Sequence, residues 1–311
     1  MGERVEVVDV GPRDGLQAQA QLLDTDTKIA LIERLVEAGV RRLEVASFVN
    51  PKRVPQMADA DAIVARLPRR PGVSYIALVL NEQGFERALA SGIEQINCAA
   101  VTTDSFCLRN QGKTSAEMLD VIAAIARRAR DQKKFFGVTI AAAFGCPFEG
   151  EVAPATVVAI AKRLHAIGVN EIALADTIGV AVPSDVRRLV EAVRPHIGTT
   201  PLRVHFHNTR GTGIGNVYAA VESGVRIVDA SCGGVGGCPF APGATGNVGT
   251  EDVLYLLHRM GYETGIDIAK VVATSKWLEG PLAAPMQASM TRASVFPPPQ
   301  RPASAAHDKP A

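Results

Sequence analysis

Short, nearly all-apolar runs rich in β-branched residues alternate with helical stretches along this chain, and the alternation repeats eight times. The runs are Val5–Val10, Arg42–Ser47, Tyr75–Leu80, Gln95–Val101, Val138–Phe144, Glu171–Thr177, Leu202–His207 and Arg226–Ser231. Helical patterns lie between and after them at about Thr27–Ala38, Gln56–Arg66, Glu82–Ala90, Ser115–Arg130, Pro154–Ala166, Pro183–Val193, Gly213–Ser223 and Glu251–Met260. Glycine follows four of these stretches, at Gly39, Gly92, Gly168 and Gly224, where a helix stop favours a residue that tolerates positive φ. Strands apolar on both faces must be covered on both faces, which is the condition of parallel sheets wrapped by helices. Eight consecutive β-then-α units therefore predict a closed (β/α)8 TIM barrel. An open doubly wound sheet fits less well. It places its glycine-rich phosphate loop after the first strand, where this chain has Gly11-Pro12-Arg13-Asp14-Gly15.

One more helix is expected at about Ile266–Glu279. From Pro281 the sequence turns Pro-, Ala- and Ser-rich, so the division predicted is a catalytic barrel with a short helical extension over 1–280 and a disordered tail over 281–311. A hydrophobic content of 47% with a net charge of +1 excludes a wholly disordered chain. The 33 basic and 32 acidic residues give no broad positive field, and four Tyr with one Trp give little to stack bases on, so no nucleic-acid partner is expected. No apolar stretch approaches the ~18 residues of a membrane helix, and no basic segment with an apolar run precedes the first strand, which argues against a membrane span or a signal peptide. Five scattered cysteines, an odd number, point away from a disulfide framework and toward a reducing cytoplasm.

In such a barrel the chemistry gathers where strands end and the following loops begin. The first strand ends in Arg13-Asp14, the second carries Glu44 and Ser47, the sixth ends in Asp176-Thr177 and the seventh in His205-Phe206-His207-Asn208. Side chains two apart on a strand share a face, so His205 and His207 can converge on one ion; the alternative is a pair of core or surface histidines. Asp14 would supply an anionic ligand, or else cap a turn with Arg13. Asn247, in the loop after the eighth strand, would add an amide oxygen. Two imidazoles with oxygen ligands and no thiolate suit Mg²⁺ or Mn²⁺, although Zn²⁺ or Co²⁺ would also be accepted. Cys238 sits in Gly233-Gly234-Val235-Gly236-Gly237-Cys238-Pro239, a segment too glycine-dense to pack as core. It reads as a mobile acid/base, whereas Cys98, Cys146 and Cys232 read as small buried cysteines and Cys107 has no assigned role. Gly211-Thr212-Gly213-Ile214-Gly215 opens a helix and fits either a phosphate site or close helix packing.

Taken together, Gly-Pro-Arg-Asp-Gly-Leu-Gln (11–17), Leu-Glu-Val-Ala-Ser-Phe-Val-Asn-Pro (43–51), Gly-Cys-Pro-Phe-Glu-Gly (145–150), Ala-Asp-Thr-Ile-Gly (175–179), His-Phe-His-Asn-Thr (205–209) and Gly-Gly-Cys-Pro-Phe-Ala-Pro-Gly-Ala-Thr-Gly-Asn (236–247) resemble the 3-hydroxy-3-methylglutaryl-CoA lyases. The resemblance implies divalent-metal-dependent retro-Claisen cleavage to acetyl-CoA and acetoacetate. It implies Asp14, His205, His207 and Asn247 as metal ligands, with Arg13, Asp14, His205 and Cys238 carrying the chemistry. Gln17, Glu44, Ser47, Asp176 and Glu251 would line the pocket or support it, and Arg109 and Lys113 would meet CoA phosphates. The chain departs from well-known lyases at Ala18-Gln19-Ala20-Gln21, at Asn208-Thr209-Arg210 and over Asp104–Lys113. Those departures bear on substrate identity: a longer 3-alkylglutaryl-CoA or citramalyl-CoA would undergo the same reaction. A Claisen-condensing synthase and a non-catalytic acyl-CoA binder are the competing readings. Barrels often associate through their outer helices, which makes a homodimer the expected assembly.

Overall fold

Eight parallel strands close on themselves in chain order in the computed structural model, which describes residues 2–237, 246–293 and 296. They are β1 (Glu6–Asp9), β2 (Arg42–Ser47), β3 (Ser74–Leu78), β4 (Gln95–Val101), β5 (Phe135–Ala141), β6 (Glu171–Asp176), β7 (Leu202–Phe206) and β8 (Ile227–Ala230). The outer helices are α1 (Thr25–Glu37), α2 (Ala60–Ala65), α3 (Glu82–Ser91), α4 (Asp104–Gln111), α5 (Ser115–Asp131), α6 (Pro154–Ile167), α7 (Pro183–Val193), α8 (Gly213–Glu222), α9 (Thr250–Arg259) and α10 (Ile268–Leu282). All four expected stop glycines have positive φ, from 78° to 105°. The TIM barrel predicted from the repeat is the architecture observed.

Three local differences have identifiable causes. The fifth strand begins three residues earlier than the apolar run suggested and ends at Ala141. Ala142 takes φ 55° and donates its N–H to Thr177 Oγ1 at 2.8 Å, which turns the chain out of the sheet. The segment after β4 is not a loop but α4, which buries only Phe106 and Cys107 and so carries no apolar stripe for periodicity to detect. The folded part also runs past the expected boundary at Pro281. Met286, Ala288 and Met290 are buried, Gln287 and Ala288 donate N–H groups to Gly233 O at 2.9 and 3.0 Å, and Ser289 and Met290 donate to the Asp252 carboxylate at 2.9 and 2.8 Å. This strap is extended with one 3₁₀ turn, Ser289–Thr291, so its order comes from contacts that leave no period in the sequence. Of the two readings of the 211–215 glycines, packing is the one with a visible contact, since a Cβ on Gly213 would collide with Val248.

Alternate residues along each strand point into the barrel. Most such interiors are filled by branched apolar side chains. Here Val8, Val10 and Ile76 form a small apolar cluster, while the first residues of four strands build a charged floor. Arg42 grips Glu171 through two hydrogen bonds of 2.6 and 3.0 Å, reaches Gln95 at 2.8 Å and lies 3.3 Å from Glu6. Arg203, one layer up, pairs with Glu171 at 3.1 Å and with Asp229 at 3.4 Å. Arg42, Glu171, Arg203 and Asp229 are all buried.

Candidate active site

The opposite end of the barrel is arranged differently. Past Asp9 the chain makes a single π-helical turn, Gly11–Gly15, anchored by the Gly11 N–H on Asp9 Oδ1 at 2.9 Å. A Cβ at Gly11 would lie 2.8 Å from that oxygen and 3.1 Å from Ser231 Oγ, so only glycine lets the turn sit this close. The turn carries Arg13 and Asp14 over the mouth. Arg13 lies between two carboxylates, with Nη1 2.9 Å from Asp14 Oδ1 and Nη2 2.5 Å from Glu44 Oε2 on β2.

His205 and His207 converge on the same space, with ring centroids 5.1 Å apart. One ligand atom from each of Asp14, His205 and His207 falls within 4.8 Å of the others, a grouping able to hold a metal ion. Asn247 is bridged to His207 across the backbone and donates Nδ2 to Asp14 Oδ2 at 2.9 Å and to Val235 O at 3.1 Å. That fixes its amide and leaves Oδ1 without a donor. Among the described residues, Asn247 Oδ1 and both ring nitrogens of His207 are buried without a hydrogen bond of good geometry, although the Thr177 backbone and the Asn247 side chain lie near enough to act on the ring. A neutral His207 ring has one N–H and one accepting nitrogen; that nitrogen, Asn247 Oδ1 and the Asp14 carboxylate make a group of acceptors that a cation would complete. The residues fit the ion.

The electrostatics agree with that geometry. Burial pushes the Asp14 carboxyl up, but Arg13, His205 and His207 outweigh it and hold the group at about 2, so it carries its charge at any physiological pH. Burial and the neighbouring His205 bring His207 down to about 4, which keeps the imidazole neutral, the form that ligates. His205 goes the other way: burial opposes its charge, yet the hydrogen bond it donates to Asp229 and the nearby Asp14 carboxylate raise it above the ordinary imidazole range. Burial raises Glu44 against the pull of Arg13.

A cavity of ≈1210 Å³ opens at this end, lined by Arg13, Asp14, Glu44, His205, His207 and Asp229 at its base. Gln17 and Lys113 also face it, with Gln17 Oε1 buried and unpartnered. The structure places other expected site residues behind the wall. Asp176 accepts the Val180 and Ala181 N–H groups at 2.9 and 3.0 Å and so holds the turn after β6. Glu251 accepts the Gly233 N–H at 3.0 Å and anchors the stem of the glycine loop. Ser47 is fully buried at the end of β2. Arg109 lays its guanidinium 4.2 Å over the Phe148 ring instead of lining the cavity. Cys238 lies outside the described residues. Sequence reasoning passed over Asp229, whose carboxylate lies 3.2 Å from His205 Nδ1, although an acid inside the apolar run Ile-Val-Asp-Ala was a visible signal. Arg53 and Arg87, which add cations to the cavity wall, were passed over as well.

Comparison with known proteins agrees with the geometry. The family described as HMGL-like matches residues 4–278. The chain is 43% identical over 306 residues to an (R)-citramalyl-CoA lyase of Chloroflexus aurantiacus, covering 95% of this chain and 96% of that protein. It is 42% identical over 269 residues to a hydroxymethylglutaryl-CoA lyase of Pseudomonas mevalonii, covering 86% and 89%. A solved HMG-CoA lyase from Acinetobacter baumannii, in complex with coenzyme A and 3-methylmalate, superposes with a TM-score of 0.90 at 35% identity, covering 99% and 98% of the two chains. A barrel of this topology, carrying this ligand set at its mouth and matched over nearly its whole length, belongs to the HMGL-like family.

Proposed function

We propose that this protein cleaves 3-hydroxy-3-methylglutaryl-CoA to acetyl-CoA and acetoacetate, with a divalent cation, Mg²⁺ or Mn²⁺, held by Asp14, His205, His207 and Asn247. The observation that carries the reading is the set of unpartnered acceptors around Asp14 with Arg13 beside it. A bound divalent cation would lower the pKa of the substrate's 3-hydroxyl, so that even a carboxylate as acidic as Asp14 can receive its proton. Asp14 is assigned as the base because the Nδ1 of His205 is engaged by Asp229 and its Nε2 would be given to the ion, whereas a carboxylate that ligates through one oxygen keeps the other. As the C2–C3 bond breaks, the hydroxyl oxygen becomes the ketone of the departing 3-oxo acid, and the bonding pair moves onto the acetyl-CoA fragment as an enolate. Arg13, permanently charged, stabilises that enolate oxygen as the charge develops. Cys238 is assigned as the acid that protonates the enolate carbon, which completes acetyl-CoA. Arg53 and Lys113 on the cavity wall are assigned to the CoA phosphates. The buried thiols of Cys98, Cys107, Cys146 and Cys232 suit a reducing cytoplasm.

A second reading is cleavage of citramalyl-CoA, favoured by the relative of that name at 43% identity. It uses the same bond cleavage on a chain one carbon shorter and releases pyruvate in place of acetoacetate. The test is a panel of 3-hydroxyacyl-CoA esters incubated with Mg²⁺ or Mn²⁺, with products identified by mass. Acetoacetate supports the first reading and pyruvate the second; no cleavage of any ester would leave an acyl-CoA binder. Cys238→Ser should leave metal binding intact and lower turnover strongly, and an unchanged rate removes the thiol from the mechanism.

A further inference from the structure

His205 is held from behind by a line of buried charges. Asp229, in register with it on the neighbouring strand and 4% exposed, places Oδ2 3.2 Å from His205 Nδ1. The other carboxylate oxygen of Asp229 lies 3.4 Å from Arg203 Nη1, an ion pair without a hydrogen bond. Arg203, 2% exposed, is tied below to Glu171, which Arg42 grips in turn. On the cavity side His205 Nε2 is 3.9 Å from Asp14 Oδ2.

We propose that Asp229 and Arg203 act together as positioning residues that fix the tautomer of His205, keeping the Nε2 lone pair free toward the ligand space. The proposal takes its importance from the metal site assigned above, but the tautomer itself is a property of the chain without metal. An ionised carboxylate only accepts hydrogen bonds, so the neutral imidazole must offer it Nδ1–H and leave Nε2 bare. Arg203 makes that arrangement directional. Its guanidinium carries donors alone and is always charged, so it claims whatever acceptor lies beside it. Arg13, which also acts on His205, is already engaged by Asp14 and Glu44.

The directionality gives a reversal that lost packing would not produce. An amide at position 229 has one accepting and one donating end. Arg203 would take its oxygen, which turns the NH₂ toward His205 Nδ1. The ring would then accept at Nδ1 and carry its proton on Nε2, where it has no lone pair to offer. With the guanidinium also removed the amide is free to rotate, and the original tautomer returns. Replacing Arg203 by Met leaves Glu171 still gripped by Arg42, and leaves Asp229 with His205 Nδ1 as its partner.

The experiment uses full-length protein with ¹⁵N-labelled histidine rings, stripped of metal and examined by NMR at alkaline pH where the ring is neutral. It compares wild type, Asp229→Asn, Arg203→Met and the double variant, with thermal unfolding to confirm that each is folded. Expected are Nδ1–H in wild type and in Arg203→Met, Nε2–H in Asp229→Asn, and a return to Nδ1–H in the double variant. Calorimetric titration with Mn²⁺ should show affinity falling about 10–100-fold in Asp229→Asn and largely recovering in the double variant. Nδ1–H persisting in Asp229→Asn, or a double variant indistinguishable from it, would overturn the proposal. If Arg203→Met does not fold, Asp229→Asn alone decides, because its ring proton must move. The expected tautomers with Mn²⁺ affinity unmoved throughout would uphold the tautomer device and strike His205 from the ligand set, so the two failures are distinguishable.

Discussion

The floor and the mouth of this barrel contain the same kinds of side chain at similar burial, and they treat them in opposite ways. On the floor, Arg42 is hydrogen-bonded to Glu171 with Gln95 and Glu6 at its edge, and Arg203 lies between Glu171 and Asp229 in ion pairs, although its Nε and Nη1 make no hydrogen bond. At the mouth, His207, Asn247 Oδ1, Arg13 Nε and Glu44 Oε1 are buried and left incomplete. A buried charge that has partners holds geometry, because removing one member strands the others. A buried polar group without partners is a cost carried for a ligand. What separates the two ends is counter-charge: the floor's guanidiniums each face a carboxylate, whereas the acceptors gathered around Asp14 face an open cavity.

The widest gap between the two regions should appear at His207. His207→Phe keeps the shape and removes two unpartnered nitrogens, so the unfolding free energy should stay level or rise by ~1 kcal/mol. Turnover should fall by about 10⁴-fold as a ligand is lost. Denaturant unfolding alongside steady-state kinetics checks both, and a large loss of stability would show that the mouth is structural after all. Glu171→Ala is the mirror experiment. It strands two buried guanidiniums and should cost about 3–5 kcal/mol of stability, with the turnover of the folded fraction changing far less. Equal damage to both quantities would erase the distinction.

How much of this was legible in the sequence follows the same division. The barrel was readable because βα units repeat and their strands are apolar, and His205 and His207 because their spacing of two on a strand is local. The floor was not. Glu171 and Arg42 are 129 residues apart, and each begins a strand where a charge looks like an ordinary strand end. Asp176 and Glu251 were placed in or near the pocket as acids at the right end of the barrel, but a sequence does not say whether a carboxylate faces the cavity or the backbone behind it. Both bind backbone N–H groups. The strap through Met286 and Met290 escaped because its order depends on Gly233 and Asp252, supplied from far away in the chain.

Glu251 sharpens the comparison, since it is buried and wall-forming yet close to the glycine loop. Burial outweighs its hydrogen bonds and brings its carboxyl from 4.5 up to about 7. An acid whose native value lies above its unfolded value holds more protons in the native state between the two. Stability therefore falls as pH climbs from about 4.5 to about 7 and levels off above. Glu251→Gln keeps an acceptor for the Gly233 N–H and loses that pH dependence. Its advantage over wild type should grow across this window to ~2–3 kcal/mol, read from unfolding midpoints at pH 5 and pH 8. A constant difference between the two proteins would mean that Glu251 does not change protonation on folding.

The rim of the cavity should show the smallest effect, because its charges are wet. Arg53 is exposed and Lys113 partly so, and both line the cavity well away from the floor network. Exposed ion pairs are worth about 1 kcal/mol or less and are screened by salt. Arg53→Gln and Lys113→Gln should therefore each raise KM for an acyl-CoA about 3–5-fold, with kcat and stability unchanged. Raising the ionic strength should shrink the difference from wild type. An acyl-pantetheine substrate, which lacks the nucleotide phosphates, separates phosphate recognition from general attraction: wild type and variants should handle it alike. If the variants are as impaired on that truncated substrate as on the CoA ester, the two cations act on the acyl end, and the incomplete groups of the mouth extend further up its wall than the buried orphans indicate.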